Sequence, residues 1–357
     1  GGAETGCYDI AHYLAEKDCG SFIATSGGEL LKFVKKKKVK IFRLPVHSKN
    51  PLLIIFNTLI LSILILINNI NIVHARSRAP AWACYLACLI TRRNFVTTFH
   101  GTYNFESNLK KFYNSIMLRS KLTIAGSNFI FNHINENYSQ YLNRKKKLRV
   151  IFRGINVDYY NQKNISILKL ERIKEEWGLS QDKFTILLPG RLTYWKGQEK
   201  FVEALNILVE DYNNSNFQAV VLGSDQGRKV YKKKLIDLVQ RYRLGQKIKF
   251  IDHCKEMPLA YSLADAVVSA SIQPEAFGRV SVEAQAMGKP IIASDLGGSK
   301  ETILKGKSGF LYKHDDPRQL AKALNTVIEL DQDALNSIGN EGRKNITKKF
   351  DVEAMCD

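Results

Sequence analysis

The chain has 357 residues, 45% of them hydrophobic and 24% charged, with only eight prolines. That is enough apolar side chain for two ordinary domains, and it excludes a long disordered or low-complexity protein. The formal net charge of +19 suggests an anionic partner (phosphorylated ligand, anionic lipid or nucleic acid) unless it only reflects a composition rich in Lys, Asn and Ile.

Gly1-Gly2-Ala3-Glu4 opens onto a helical pattern with Ala3, Cys7, Ile10, Ala11 and Leu14 on one face. Short β-rich runs then recur at 22–25, 40–44, 72–75, 95–99 and 122–125, with helical segments near 29–36, 52–67, 79–90 and 109–118. The apolar run 51–67 is interrupted by Asn57, Thr58 and Ser62 and is at the short limit for a bilayer span. It reads as a buried helix leading into the strand 72–75. Cys84 and Cys88, one helical turn apart in an apolar run, read as buried thiols, and no CxxC pair is present. A basic stretch at 144–149 and a polar stretch at 156–164, taken as the linker, separate the two halves.

The alternation restarts with strands at 185–188, 218–222, 248–251, 266–270, 290–293 and 310–312 and helices at 199–209, 230–241, 280–287 and 317–330. Strands alternating with helices at this spacing give βαβ units, hence two doubly wound α/β domains with parallel sheets. Ligands of such sheets sit beyond the carboxyl ends of the strands, and two facing units would hold one in the cleft between them. The expected domains are 1–160 and 161–340, followed by a C-terminal helix over 341–357 that stops short.

Several stretches fall at those carboxyl ends. Arg191 and Lys196, in Pro189-Gly190-Arg191-Leu192-Thr193-Tyr194-Trp195-Lys196-Gly197, are placed to meet a diphosphate, although a solvated basic loop would read the same. The run from Ser269 to Gly288 reads strand, loop, helix. It sets Glu275 in the loop and Glu283 in the helix, on either side of a helix N-terminus near Phe277-Gly278-Arg279-Val280. One capping and one surface carboxylate would be the plain alternative. His100 ends a first-half strand, and His74, Arg76 and Arg78 end the one before it; a lone histidine is often structural. Gly297-Gly298 before Glu301 is a glycine turn with or without a ligand. Zinc, calcium, Walker A and GxGxxG signatures are absent, and Asp331-Gln332-Asp333 reads as a helix boundary.

Together these stretches resemble the retaining glycosyltransferase family 4, of GT-B fold, over essentially the whole chain. The strongest part is Glu275 and Glu283, the family's E-x7-E pattern, within Pro-Glu-Ala-Phe-Gly-Arg-Val-Ser-Val-Glu-Ala-Gln-Ala-Met-Gly. Gly1-Gly2, Phe99-His100-Gly101, Gly190-Arg191 with Lys196-Gly197, Asp252-His253 and Gly297-Gly298 support it. The resemblance implies two Rossmann-like domains facing across a cleft and transfer of a sugar from a nucleoside-diphosphate donor with retention of configuration. It implies no metal and no cofactor. Arg191 and Lys196 would hold the diphosphate. Backbone N–H groups at Phe277, Gly278, Arg279 and Val280, with those of Gly1 and Gly2, would complete the anion site. Glu275 would bind the transferred sugar, Glu283 the ribose, His100 the sugar near the reacting centre, and Asp252-His253 would lie near the base. Against the family's pattern, a first strand before the glycine turn is missing and the C-terminal helix is cut short.

The acceptor is not legible. The basic runs and the apolar segment 51–67 suggest a lipid-linked or lipopolysaccharide-type acceptor at an anionic cytoplasmic membrane face. A nucleic-acid partner is not expected, since aromatic and basic residues do not interleave as in RNA-binding modules. A sugar phosphorylase or epimerase on the same scaffold is the enzymatic rival.

Overall fold

The computed structural model describes residues 2–35, 37–103, 105–142 and 147–357. Gly1 of the expected anion site and residues 144–146 of the basic stretch lie outside the described residues. The chain forms two units, Gly1–Gly154 with Val352–Asp357, and Ile155–Asp351.

The first unit runs α1 (Gly2–Glu16), β1 (Ser21–Thr25), β2 (Val39–Arg43), α2 (Pro51–Ile67), β3 (Ile72–Ala75), α3 (Arg78–Thr91), β4 (Asn94–Phe99), α4 (Asn108–Asn114), β5 (Leu122–Ala125), α5 (Asn128–Tyr138) and β6 (Lys147–Val150). Its strands pair in parallel as β1-β2 and as β3-β4-β5-β6, and among the described residues the two sheets share no pairing. The helix expected at 29–36 is a 3-10 turn over Glu29–Phe33, and the one at 109–118 is α4 followed by a 3-10 turn, Ser115–Leu118. Cys84 and Cys88 are buried, and burial pushes their thiols up to about 12 and about 11.

Helix α2 departs from expectation. Asn50 caps it by accepting from Leu52 N at 2.9 Å, and Pro51 occupies the first turn, where its missing N–H costs nothing. It buries Asn57, Thr58, Leu61, Ser62 and Ile65, half-buries Ile54, Ile60 and Leu64, and leaves its remaining large apolar side chains exposed. Polar groups can be buried there because they find acceptors close by. Thr58 and Ser62 donate back to the carbonyls of Ile54 and Thr58, and Asn57 Nδ2 donates to Pro45 O at 3.1 Å. No described helix is long and apolar enough to cross a membrane.

The second unit runs α6 (Ile167–Glu176), β7 (Phe184–Pro189), α7 (Gln198–Glu210), β8 (Phe217–Leu222), α8 (Lys229–Arg241), β9 (Ile248–Ile251), α9 (Met257–Leu263), β10 (Ala266–Ser269), α10 (Arg279–Ala286), β11 (Ile291–Ser294), β12 (Gly309–Tyr312), α11 (Pro317–Ile328) and α12 (Gln332–Lys349). One parallel sheet orders its strands β12-β11-β10-β7-β8-β9. Residues such as Ile186, Leu188, Ala219, Val221 and Val268 are buried between helices on both faces, which is why these strands read as unbroken apolar runs. Strand order reverses between β10 and β7, so the loops after those two strands flank the crevice where ligands of such sheets bind.

Three expectations about boundaries change. The division falls at 154/155, not at 160/161. The polar stretch 156–164 is no linker: the Ile155 N–H bonds to Phe350 O at 2.9 Å, and Tyr160 packs its ring edge-on against Tyr261. The segment 341–357 is not one helix. Its first part ends α12, and α13 (Val352–Cys356) is grouped with the first unit. Asp331 is a helix boundary, since its carboxylate caps α12 by accepting from Ala334 N at 2.8 Å.

Candidate functional site

The second unit gathers charged residues where β7 and β10 end. Strand β7 runs into Gly190 and Arg191, whose exposed guanidinium rides on a fixed backbone. Arg191 O accepts from Gln198 Nε2 at 2.9 Å, and Leu192 N donates to Ser224 O at 3.1 Å. A 3-10 turn, Tyr194–Lys196, then presents Lys196. Its Nζ lies 2.7 Å from Glu275 Oε1 and 4.6 Å from the Trp195 ring centroid. Both side chains of the ion pair are largely shielded, at 14% and 11% exposure. Ser271 also donates to Glu275 Oε1 at 2.5 Å. Burial alone would raise the Glu275 carboxyl, but the Lys196 charge and the two hydrogen bonds outweigh it and hold the group below the usual carboxylate range.

The loop bearing Glu275 rests on the glycine turn at 297–298. Gly298 N donates to Glu275 O at 2.7 Å, and a side chain at Gly297 would come within 2.6 Å of that same oxygen. Three residues after Glu275, Gly278 starts α10 without a side-chain cap, so the first-turn N–H groups at Arg279 and Val280 have no capping side chain. Uncapped N–H groups at the positive end of a helix attract anions. Phe277, buried against Phe350, anchors the turn from below.

Glu283 sits within α10 with both oxygens engaged. Arg279 Nε donates to Oε1 at 2.9 Å and Tyr261 OH to Oε2 at 2.8 Å, while the Tyr160 hydroxyl also bonds to this carboxylate. The tyrosines are buried, and burial together with the adjacent negative charge keeps their protons on well above the usual phenol range. Arg279, expected to act through its backbone alone, also fixes Glu283 through its side chain. Sequence reasoning missed Tyr160, Tyr261 and Ser271. Ser271 stood inside the motif run; nothing local flagged the tyrosines.

Asp252 and His253 follow the edge strand β9 and are exposed, and Asp252 Oδ1 accepts from Lys232 Nζ at 2.6 Å. No described hydrogen bond or ion pair joins either residue to Glu275 or Glu283. The arrangement as a whole can bind a diphosphate: two mobile or forked cations, a helix N-terminus, and carboxylates positioned to accept from hydroxyl groups.

In the first unit, Gly2 begins α1, and His100 follows β4. Both His100 ring nitrogens are buried without a hydrogen-bond partner, while His74 Nε2 meets Thr98 Oγ1 at 2.7 Å. Arg76 and Arg153 converge here too: both guanidinium groups come within 4.0 Å of where a Gly6 side chain would begin. Burial, and then Arg76, push His74 down to about 3; burial, Arg76, Arg153 and His74 drive His100 well below its usual range. Both folded values lie below the unfolded value near 6.5, so as pH drops the unfolded chain takes up protons first. The stability contributed by neutral histidine is complete above about pH 6.5 and is lost as pH falls toward the folded values, at up to about 1.4 kcal/mol per pH unit for each group. Melting temperature is therefore expected to fall between neutral pH and about 5, and more gently in His74→Gln. An equal slope in that variant would refute the assignment.

Two family models cover nearly the whole chain: "Glycosyltransferase Family 4" matches residues 1–159 and "Glycosyl transferases group 1" matches residues 169–345. The D-inositol 3-phosphate glycosyltransferase of Corynebacterium glutamicum (strain R) is 27% identical over 188 residues, 52% of this chain and 44% of that protein. The chain thus spans less than half the length of that relative. Spore coat protein SA of Bacillus subtilis (strain 168) is 25% identical over 80% of this chain and 76% of its own. Among solved structures, a glycosyltransferase from Rickettsia africae ESF-5 superimposes with a TM-score of 0.91 at 35% identity, covering 100% of this chain and 92% of that one. Anabaena HepE, solved with UDP and glucose, shares the fold at 24% identity, with a TM-score of 0.82 over 99% of this chain and 94% of its own. The two parallel-sheet units, the Glu275 and Glu283 loop-and-helix, and these matches agree: the chain belongs to the family 4 (group 1) glycosyltransferases and has the GT-B fold.

Proposed function

We propose that the chain transfers a sugar from a nucleoside-diphosphate donor to a glycan or glycolipid acceptor, with retention of anomeric configuration and without a metal. The observation that carries the reading is the Lys196–Glu275 pair lying beside the uncapped start of α10, with Glu283 held rigid one turn further on. Arg191, Lys196 and the first-turn N–H groups of α10 receive the diphosphate and stabilise the charge that grows on it as the glycosidic bond breaks. These cations do the work a divalent ion does in other transferases. Glu283 accepts from the ribose hydroxyls; Arg279 and the two tyrosines keep its oxygens in place beforehand. Glu275 accepts from the hydroxyls of the transferred sugar. His100, kept neutral by burial and by Arg76, can donate to or accept from a hydroxyl group without adding charge.

The acceptor is proposed to be presented at an anionic membrane surface on the cytoplasmic side, consistent with the net charge of +19. The donor assignment is tested by thermal melting with UDP, GDP and ADP in the presence of a chelator. One nucleotide is expected to raise the melting temperature, with about 2.7 kcal/mol of added stability at a hundredfold excess over Kd. The shift should vanish in Arg191→Ala and shrink in Glu283→Gln. If no nucleotide shifts the folded protein, the reading is wrong.

A further inference from the structure

Helix α2 is inside out for a helix surrounded by water. Its buried side carries Asn57, Thr58 and Ser62 beside Leu61 and Ile65, and packs on α3, whose buried residues Ala81, Ala83, Cys84, Ala87 and Cys88 are all small. Its open side is a continuous stripe of Leu52, Ile55, Phe56, Leu59, Ile63 and Leu66, each between 47% and 75% exposed. Positions 52, 55, 56, 59, 63 and 66 follow the spacing of one helical face. Ile72 at the start of β3, the strand that follows α2, and Leu89 and Ile90 at the end of α3, the helix that α2 packs on, are about as exposed. The exposed area is on the order of 1,000 Å², against the ~300–600 Å² of the largest apolar patch on an ordinary monomer. Water-facing helices put their leucines inward. Small and polar residues between helices with large apolar residues outward is the arrangement of helices that face lipid.

The charge around the stripe fits an anionic surface. From residue 30 to residue 105 the sequence has no Asp or Glu and twelve Lys or Arg. Exposed Arg43 and Lys49 lie just before the N-terminal end of α2, and Arg92 and Arg93 lie at its C-terminal end, where Arg93 Nη2 donates to Asn69 Oδ1 at 3.0 Å. The helix does not span. Its 17 residues extend about 25 Å, short of a hydrocarbon core of about 30 Å, and no described helix is long and apolar enough to cross.

We infer that the α2 face, with Ile72, Leu89 and Ile90, lies in the plane of an anionic bilayer, its leucines and isoleucines below the headgroups and Lys49, Arg92 and Arg93 among them. This names the element and the orientation by which the proposed membrane contact is made, and it rests on none of the donor chemistry.

The test is flotation of the whole chain with vesicles of equal parts phosphatidylglycerol and phosphatidylcholine, alongside vesicles of phosphatidylcholine alone. The chain is expected to float with the anionic vesicles, and binding should fall about tenfold or more in Leu59→Glu/Ile63→Glu. In Arg92→Gln/Arg93→Gln it should lose much of its salt dependence. A Trp placed by Leu59→Trp should shift its emission to the blue on anionic vesicles. All three variants change exposed or rim positions, so melting temperature and nucleotide binding should be unchanged; loss of vesicle binding with nucleotide binding intact separates this inference from the donor assignment. Two results would overturn it: no vesicle binding by the unmodified chain, or an unmodified dimer in sedimentation that Leu59→Glu/Ile63→Glu splits, which would make the face a contact between copies.

Discussion

Lys196→Ala is expected to lower sugar transfer by about 10²–10³-fold and to destabilise the second unit by about 3 kcal/mol at the same time. The two losses have different causes. Transfer falls because the ammonium group no longer offsets charge on the departing diphosphate. Stability falls because Glu275, 11% exposed, keeps only the Ser271 hydrogen bond and the backbone around it. An unpaired buried carboxylate takes up a proton or unfolds its surroundings. The double variant Lys196→Met/Glu275→Gln removes both charges while keeping volume and hydrogen-bonding capacity. It should recover most of the stability and none of the transfer. Arg191→Ala gives the complementary case: its exposed side chain should affect transfer but not the denaturation midpoint. Urea melts and nucleoside-diphosphate release, measured on the four proteins, separate the cases. Wild-type transfer in the double variant would show that the cation is not needed; an unchanged midpoint in Lys196→Ala would show that the pair is not shielded.

The second unit was the more legible half. Strands β7, β8, β10 and β11 are buried on both faces, so apolar runs alone mark them, and the glycines at 278 and 288 bracket α10. The motif run also placed Glu275 and Glu283 correctly in loop and helix. Hydropathy could not give their partners. Lys196 and Glu275 are 79 residues apart, and Tyr160 and Tyr261 come from segments with no pattern of their own; only the sheet order brings them together. Helix α5 went unread although Ser127 caps it, accepting from Ile130 N at 3.1 Å: its buried face mixes His133 with Ile130, Ile134 and Tyr138, and asparagines interrupt its apolar pattern. Strand β6 was hidden by Lys147 and Arg149 alternating with Leu148 and Val150. The α2 error is the most instructive. Its apolar run points both to a buried helix and to a membrane face, and hydropathy alone does not say which side is covered. The structure covers the side that carries Asn57, Thr58 and Ser62 together with Leu61 and Ile65, and leaves Leu52, Ile55, Phe56, Leu59, Ile63 and Leu66 exposed.

Gly197→Ala is expected to cost at least about 3 kcal/mol and to abolish nucleotide binding. Two terms contribute, and the chain contains a control that isolates one of them. Gly197 has φ +71°, a left-handed conformation that costs an alanine about 1–2 kcal/mol. Its missing side chain also faces the other loop of the site: a Cβ there would lie 1.9 Å from the backbone oxygen of Ala270 and 3.3 Å from Ile272 Cγ2. Backbone cannot swing aside as a side-chain tip can, so the Lys196 turn and the Glu275 loop must separate. That separation would strain the bond from Ile272 N to Trp195 O at 2.9 Å and pull the Lys196–Glu275 pair apart. Gly306 has φ +74°, and its Cβ would meet nothing within 4 Å, so Gly306→Ala carries the conformational cost alone. That variant should lose about 1 kcal/mol and bind nucleotide normally. The difference between the two midpoints then measures how tightly the loops are locked together. If the variants cost the same, the two loops part freely, and Lys196 is not held where the diphosphate is proposed to bind.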